Sequence, residues 1–177
     1  LNSSKKYQEA LKIFHKITKI KPNHPEGHFN LGKANDNLGK FDAAIASYSE
    51  AIKHKFEYPK AHNNLGNTLS KIGKLKEAII SFEHAISIKP DYYYAYNNLG
   101  NTLKDLGRFQ EAISNYEIAI KINPNLYALY NNLANALKSF GKLHDAIKNY
   151  KIAIELNPNH SEINNNLGKA LIEDGQF

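Results

Sequence analysis

The chain has 177 residues, 42% of them hydrophobic, with eight histidines, no cysteine and a formal net charge of +6. That supplies apolar material for one domain or one elongated array, and the missing cysteine excludes disulfides, thiol nucleophiles and cysteine-ligated zinc. No apolar run reaches the ~18 residues of a membrane span, and the lysines are interspersed with glutamates, which reads as a solvated surface rather than a nucleic-acid footprint.

With no cysteine the cytoplasm is the expected compartment. No basic start followed by an apolar stretch marks a signal peptide. The chain begins at Leu1 rather than at Met, so it is expected to be trimmed or to be a piece of a longer protein. The Asn-X-Ser matches at Asn2 and Asn159 read as chance.

One register runs through everything else. Leu31, Leu65, Leu99, Leu133 and Leu167 lie 34 residues apart, as do Gly39, Gly73, Gly107, Gly141 and Gly175. Ala10, Ala44, Ala78, Ala112 and Ala146 keep the same interval, and so do the aromatics Phe14, Tyr48, Phe82, Tyr116 and Tyr150. A fixed period of this length is the signature of a repeat architecture.

In chain order, residues 1–24 form a half unit whose helix, over 4–20, carries Ala10 and Phe14. Full units follow at 25–58, 59–92, 93–126 and 127–160, and a half unit with a first-type helix occupies 161–177. Each full unit reads as two helices. In the third, Tyr96, Leu99, Gly100 and Leu103 share one stripe at spacings of three and four. Gly107 then stops the helix, because glycine takes the left-handed conformation at a C-terminus at little cost. Phe109, Ala112, Ile113, Tyr116, Ala119 and Ile120 form the apolar side of the second helix, which Pro124 and Asn125 end. Helices of about fourteen residues run ~20 Å each. Gly100 and Ala112 predict a close approach between the two helices of a unit, with Tyr116 filling the remaining space. One such pair cannot cover its own apolar faces, but stacked pairs cover one another's.

This pattern of a large residue, Leu-Gly, Leu or Tyr, Ala, an aromatic, Ala and Pro resembles the tetratricopeptide repeat family. The third unit matches at Tyr96, Leu99, Gly100, Leu103, Ala112, Tyr116, Ala119 and Pro124. Departures are Asn35 for the Leu/Tyr, Ala134 for the Gly, Ile17 for the second Ala and Phe56 for a Pro. The turn at Phe56 is the one most open to question, although Pro59 follows at a tolerated first-turn position. The resemblance implies an all-α, right-handed superhelical solenoid of antiparallel helix pairs, about ten helices, whose first helices line a concave wall. It implies a non-enzymatic scaffold that binds a protein or peptide partner.

On that wall the chain carries asparagines, as in "YNNLGNTL" at 96–103. Two residues along a helix is a turn of about 200°, so Asn98 points away from Tyr96 and Gly100. The wall row is Asn30, Asn64, Asn98, Asn132 and Asn166, with Asn67, Asn101 and Asn135 beside it. Asn63, Asn97, Asn131 and Asn165 flank the row, where the first full unit has Phe29. Each asparagine costs a helix roughly 0.5–0.7 kcal/mol relative to alanine. It offers in return a donor and an acceptor on one short neutral side chain, which suits a peptide backbone of any sequence. In related repeat proteins concave asparagine rows hold peptides in this way, and the resemblance lends that role to Asn64, Asn98 and Asn132. Tyr94, Lys60, Lys71, Lys104 and Lys138 are candidates to tune specificity, the lysines toward acidic partners. The wall is mostly Asn with no Arg, which argues against the family's carboxylate clamp.

Two other readings of the amides stay open: bonding between neighbouring units that stiffens the stack, and duplication of a compositionally biased sequence. At the level of the whole protein three alternatives remain. The asparagine-rich style is similar to the repeats that precede the catalytic part of O-linked N-acetylglucosamine transferases, which would make the chain an enzyme's recognition arm. The uncapped ends would also let copies stack as a homo-oligomer. Binding of RNA would require the basic surface and is disfavoured. No catalytic constellation, cofactor motif or metal triad is visible. His28 and His62 occupy the slot of Tyr96 and Tyr130 and read as packing residues, and His24, four residues from His28, completes no ligand set.

Overall fold

The computed structural model describes residues 2–175, and all regular structure within them is α-helical. The ten helices are α1 (Asn2–Ile20), α2 (Pro25–Asn37), α3 (Phe41–His54), α4 (Pro59–Lys71), α5 (Leu75–Ile88), α6 (Tyr93–Asp105), α7 (Phe109–Ile122), α8 (Tyr127–Ser139), α9 (Leu143–Leu156) and α10 (Ser161–Glu173). They form two compact units that divide between Pro90 and Asp91. In the first, α2 packs on α3 and α4 on α5, α1 covers α2, and α3 bridges to α4. In the second, α6 packs on α7 and α8 on α9, α7 bridges to α8, and α10 lies on α9. The first helices of successive pairs also touch, α2 with α4 and α6 with α8.

The turns show why these residues make helix pairs. Gly73 has φ +79°, a conformation in which any Cβ would be strained. That conformation lets Gly73 N–H bond Ser70 O at 3.0 Å and Lys74 N–H bond Leu69 O at 3.0 Å. The pair of bonds closes the end of α4 as a Schellman cap and reverses the chain into α5. At the other end of the pair, Pro25 and Pro59 sit in the first turn of α2 and α4, where a missing N–H costs nothing. The turn at Phe56 forms without its proline. Tyr58 N–H bonds Phe56 O at 2.8 Å, Lys55 N–H bonds Ala51 O at 3.0 Å, and the Phe56 ring stays largely exposed against the edges of His62 and His84.

Packing is aromatic into glycine. Tyr48, Phe82, Tyr116 and Tyr150 are at most 1% exposed. A Cβ built on Gly32, Gly66 or Gly100 would lie 2.6, 2.6 or 2.7 Å from the ring of Tyr48, Phe82 or Tyr116. The sequence predicts a close approach of helix to helix at Gly100. The glycine there is the socket for the partner helix's ring, and Ala44, Ala78, Ala112 and Ala146, fully buried, lie one turn before that ring. Ala134 fills the socket position in α8 while Tyr150 remains buried, so a methyl is tolerated there. Gly168, at the same position of α10, has no atom within 4 Å of its Cβ site.

Candidate functional site

The repeat brings one asparagine to the same place on each first helix, and the structure leaves all of them half-buried: Asn30 and Asn64 in the first unit, Asn98, Asn132 and Asn166 in the second. Asn67, Asn101 and Asn135, three residues further along, are half-buried as well. None is turned fully outward and none is sealed in the core.

In the second unit the row is joined to its flank. Asn132 Nδ2 donates to Asn97 Oδ1 at 2.9 Å, and Asn166 Nδ2 donates to Asn131 Oδ1 at 3.4 Å. Asn97 Nδ2 donates in turn to Asn98 Oδ1 at 3.3 Å. A second layer comes from the core aromatics. Tyr116 Oη donates to Asn101 Oδ1 at 2.7 Å, and Tyr150 Oη to Asn135 Oδ1 at 2.6 Å. Burial raises the Tyr116 phenol and pushes Tyr150 up to about 12, so both hydroxyls keep the proton they donate. A carboxamide has two N–H donors and two acceptor lone pairs. One internal bond orients it and spares the rest.

The first unit is wired differently. Asp36 of α2 accepts from Thr68 Oγ1 at 3.1 Å and Lys71 Nζ at 2.6 Å, both on α4. Asn63, buried, donates to Asn64 Oδ1 at 3.4 Å. Tyr48 hydrogen-bonds Asn64, and burial raises its phenol. Phe29 takes the flanking place and packs against Tyr48 and Tyr58, with ring centroids 6.0 and 5.0 Å away. Phe82 has no hydroxyl to offer Asn67.

The residues expected to tune specificity are distributed around these faces. Tyr94 is 52% exposed. One face of its ring stacks on Tyr93 at 4.0 Å, and its edge meets Tyr92 at 5.7 Å. Burial and the hydrogen bond to Tyr94 push the Tyr93 phenol up to about 12. Lys60 is exposed. Lys104 lies 3.8 Å from Asp105, Lys138 lies 3.0 Å from Glu173, and Lys71 is held by Asp36. Three of the four lysines therefore already face a carboxylate of their own chain.

Sequence reasoning missed the tether made by the large-residue slot. His28 Nε2 lies 2.6 Å from Pro22 O, His62 Nε2 lies 3.0 Å from Phe56 O, and Asn164 Nδ2 donates to Pro158 O at 3.0 Å. In each case a side-chain nitrogen reaches back six residues to the preceding turn. The recurring six-residue interval from the Pro position was the available signal. Tyr96 and Tyr130, in the same slot of α6 and α8, are half-buried. His24 caps α2, its Nδ1 accepting from Gly27 N–H at 2.9 Å. Among the described residues no group of three or more His, Asp or Glu side chains is placed to hold a metal ion.

These helix pairs, with their glycine sockets and first-helix polar faces, define an all-α repeat scaffold. One family model for the tetratricopeptide repeat matches residues 59–92 and 93–126, a second matches 115–148, and a third, described as a TPR repeat, matches 36–73 and 135–175. The chain belongs to the tetratricopeptide repeat family. Among solved structures it is similar to the crystal structure of MamA at 27% identity, with 88% of this chain and 91% of that chain covered and a TM-score of 0.80. It shares the fold of TTC0263, a thermophilic repeat protein of Thermus thermophilus, at 21% identity, 97% and 94% coverage and a TM-score of 0.78. It also shares the fold of YrrB, a tetratricopeptide repeat protein with an unusual peptide-binding site, at 20% identity, 94% and 86% coverage and a TM-score of 0.77. No curated protein sequence matches significantly. The narrower likeness to O-linked N-acetylglucosamine transferase arrays rests on the asparagine pattern alone.

Proposed function

We propose that this chain is a protein-interaction scaffold that holds an extended peptide segment on the asparagine faces of its first helices, and that it does no chemistry of its own. The observation that carries the reading is the half-buried carboxamide at the same place on every first helix, Asn30, Asn64, Asn98, Asn132 and Asn166. Asn132 and Asn166 each donate one N–H to a flanking amide, and a carboxamide has two donors and two acceptor lone pairs in all. A peptide backbone presents N–H and C=O alternately, so oriented amides bind it without regard to side chains. Tyr94 and the exposed Lys60 stand close enough in sequence to the row to add selectivity. The peptide-binding site of YrrB, a protein of the same fold, lends the reading support.

A second reading is favoured by the bonds from Asn132 to Asn97 and from Asn166 to Asn131: the amides serve to tie successive first helices together. One variant separates the two. Replacing Asn64, Asn98 and Asn132 together by Ala removes side chains worth ~1 kcal/mol each in hydrogen bonding. Peptides selected from a random display library on the unmodified chain should then bind at least tenfold more weakly, with helicity by circular dichroism unchanged. A lowered melting temperature with undiminished peptide affinity would assign the row to the stack instead.

A further inference from the structure

We infer that the first unit adds a side-chain subsite to the asparagine row: Phe29 and Lys33 of α2 together receive a large apolar residue of the bound segment and an acidic residue next to it. The inference rests on the peptide-binding reading above and names the class of segment that the same site would select.

Phe29 stands where every other first helix has an amide, Asn63, Asn97, Asn131 and Asn165. In the second unit that place borders the row, because Asn97 accepts from Asn132 and Asn131 from Asn166, each 35 residues on. The same offset sets Phe29 beside Asn64. Tyr48 joins the two: its hydroxyl hydrogen-bonds Asn64, and its ring lies 6.0 Å from that of Phe29. A phenyl ring cannot bond a neighbouring amide as Asn97 does. It offers apolar surface, and the fold does not take all of it. Phe29 is half-buried, with the Tyr58 ring against it at 5.0 Å, and the rest reaches solvent at the edge of the row. Covering that surface is favourable in proportion to its area, a gain that no amide of the row supplies.

Lys33 lies four residues on, so the two side chains share a helix face, and its Nζ sits 5.7 Å from the centre of the Phe29 ring. It takes the place that Asn67, Asn101 and Asn135 hold on other first helices. Lys33 is exposed, and its charge is not neutralised within the fold. Glu26 is paired with Lys55 and Asp36 with Lys71, and among the described residues no carboxylate pairs with Lys33. In this it differs from Lys71, Lys104 and Lys138, which face carboxylates of their own chain. An apolar residue seated on Phe29 takes water from the ammonium beside it, and a charge that loses water needs a partner. An Asp or Glu next to that residue supplies one. The subsite therefore reads side chains, whereas the amides around it read backbone.

The test uses the full chain and a random peptide display library. Peptides recovered on the unmodified chain should be enriched in a large apolar residue adjacent to Asp or Glu. Phe29→Asn and Lys33→Asn each copy the residue that other first helices carry at that place, so both variants should keep their helicity. Affinity for a selected peptide should fall about fivefold or more with Phe29→Asn. With Lys33→Asn it should fall about threefold at low salt, and the loss should fade as salt is raised. A double-mutant cycle assigns the contacts. Once the apolar residue of the peptide is Ala, Phe29→Asn should weaken binding no further, and once the acidic residue is Gln, neither should Lys33→Asn. A Phe29 that only packs the fold would lower the melting temperature on replacement and show no coupling to the peptide, which overturns the inference. If the library yields peptides without this enrichment, and the asparagine triple variant loses them, the subsite fails and the peptide-binding reading stands. If the unmodified chain selects no peptide at all, both fall.

Discussion

The two compact units are built on the same apolar frame and differ in how polar groups tie one first helix to the next. In the first unit the tie is charged: Asp36 on α2 takes Lys71 and Thr68 from α4. In the second, amides join the first helices, with Asn132 on α8 donating to Asn97 on α6 and Asn166 on α10 donating to Asn131 on α8, beside one ion pair of Lys138 on α8 with Glu173 on α10. The large-residue slot differs too, His28 and His62 in one unit against Tyr96 and Tyr130 in the other. The shared part is what makes a tetratricopeptide pair: buried alanines, a ring in a glycine socket, a left-handed glycine at the turn. The variable part lies on the face a partner would meet. Packing constrains the frame to within a methyl group, while a half-buried polar contact between helices can be met by an ion pair or by amides at similar cost.

The largest expected effect probes the shared frame. Phe82→Ala and Tyr116→Ala each empty a fully buried site and should cost ~3–5 kcal/mol, read from urea midpoints. If one cost far less, the units would not be held by the same packing. Filling the socket comes next. Gly66→Val and Gly100→Val would drive side-chain atoms into rings already 2.6 and 2.7 Å from a Cβ position, at ~1–3 kcal/mol. Gly100→Ala should be milder, because Ala134 coexists with a buried Tyr150 and alanine favours the helix by ~1 kcal/mol over glycine.

Smaller effects probe what differs. Asp36→Asn breaks a partly exposed ion pair and should cost ~1 kcal/mol or less. That cost should shrink as salt is raised, because screening weakens the pair it removes. Asn166→Ala should cost ~1 kcal/mol whatever the salt concentration. Equal salt dependence would erase the distinction between charged and neutral ties.

The smallest is a pH dependence confined to the first unit's slot. Burial lowers the pKa of His62 below its usual 6.5, against the opposing hydrogen bond to Phe56 O. The unfolded chain then takes up the proton before the folded one does. Stability present above about pH 6.5 should fall as the pH drops below it, and level off once the folded His62 is protonated. His62→Tyr, which copies Tyr96, should flatten that part of a melting-temperature profile; an unaltered slope would place its origin elsewhere.

Much of this was legible in the residues. The 34-residue interval, the apolar stripes and the turn glycines announce ten helices in pairs, and the asparagines announce a polar face. The turn at Phe56 is open to question on sequence because it lacks proline, yet backbone bonds close it and His62 ties down its carbonyl. The ring-in-glycine packing is foreshadowed as a close helix approach, since a period reveals which residues face inward but not which atoms meet there. The lysines read as available for an acidic partner; Asp36, Asp105 and Glu173 lie beside three of them.

By itself the sequence determined the helix pairs, their apolar frame and the placement of one carboxamide per first helix, because helical periodicity and a strict repeat are local properties of the chain. Only the tertiary structure decided what each carboxamide does with its donors and acceptors. Asn132 meets Asn97 and Lys138 meets Glu173 across 35 residues, one more than the repeat. That offset comes from how neighbouring helices pack, and no pattern along a single helix contains it.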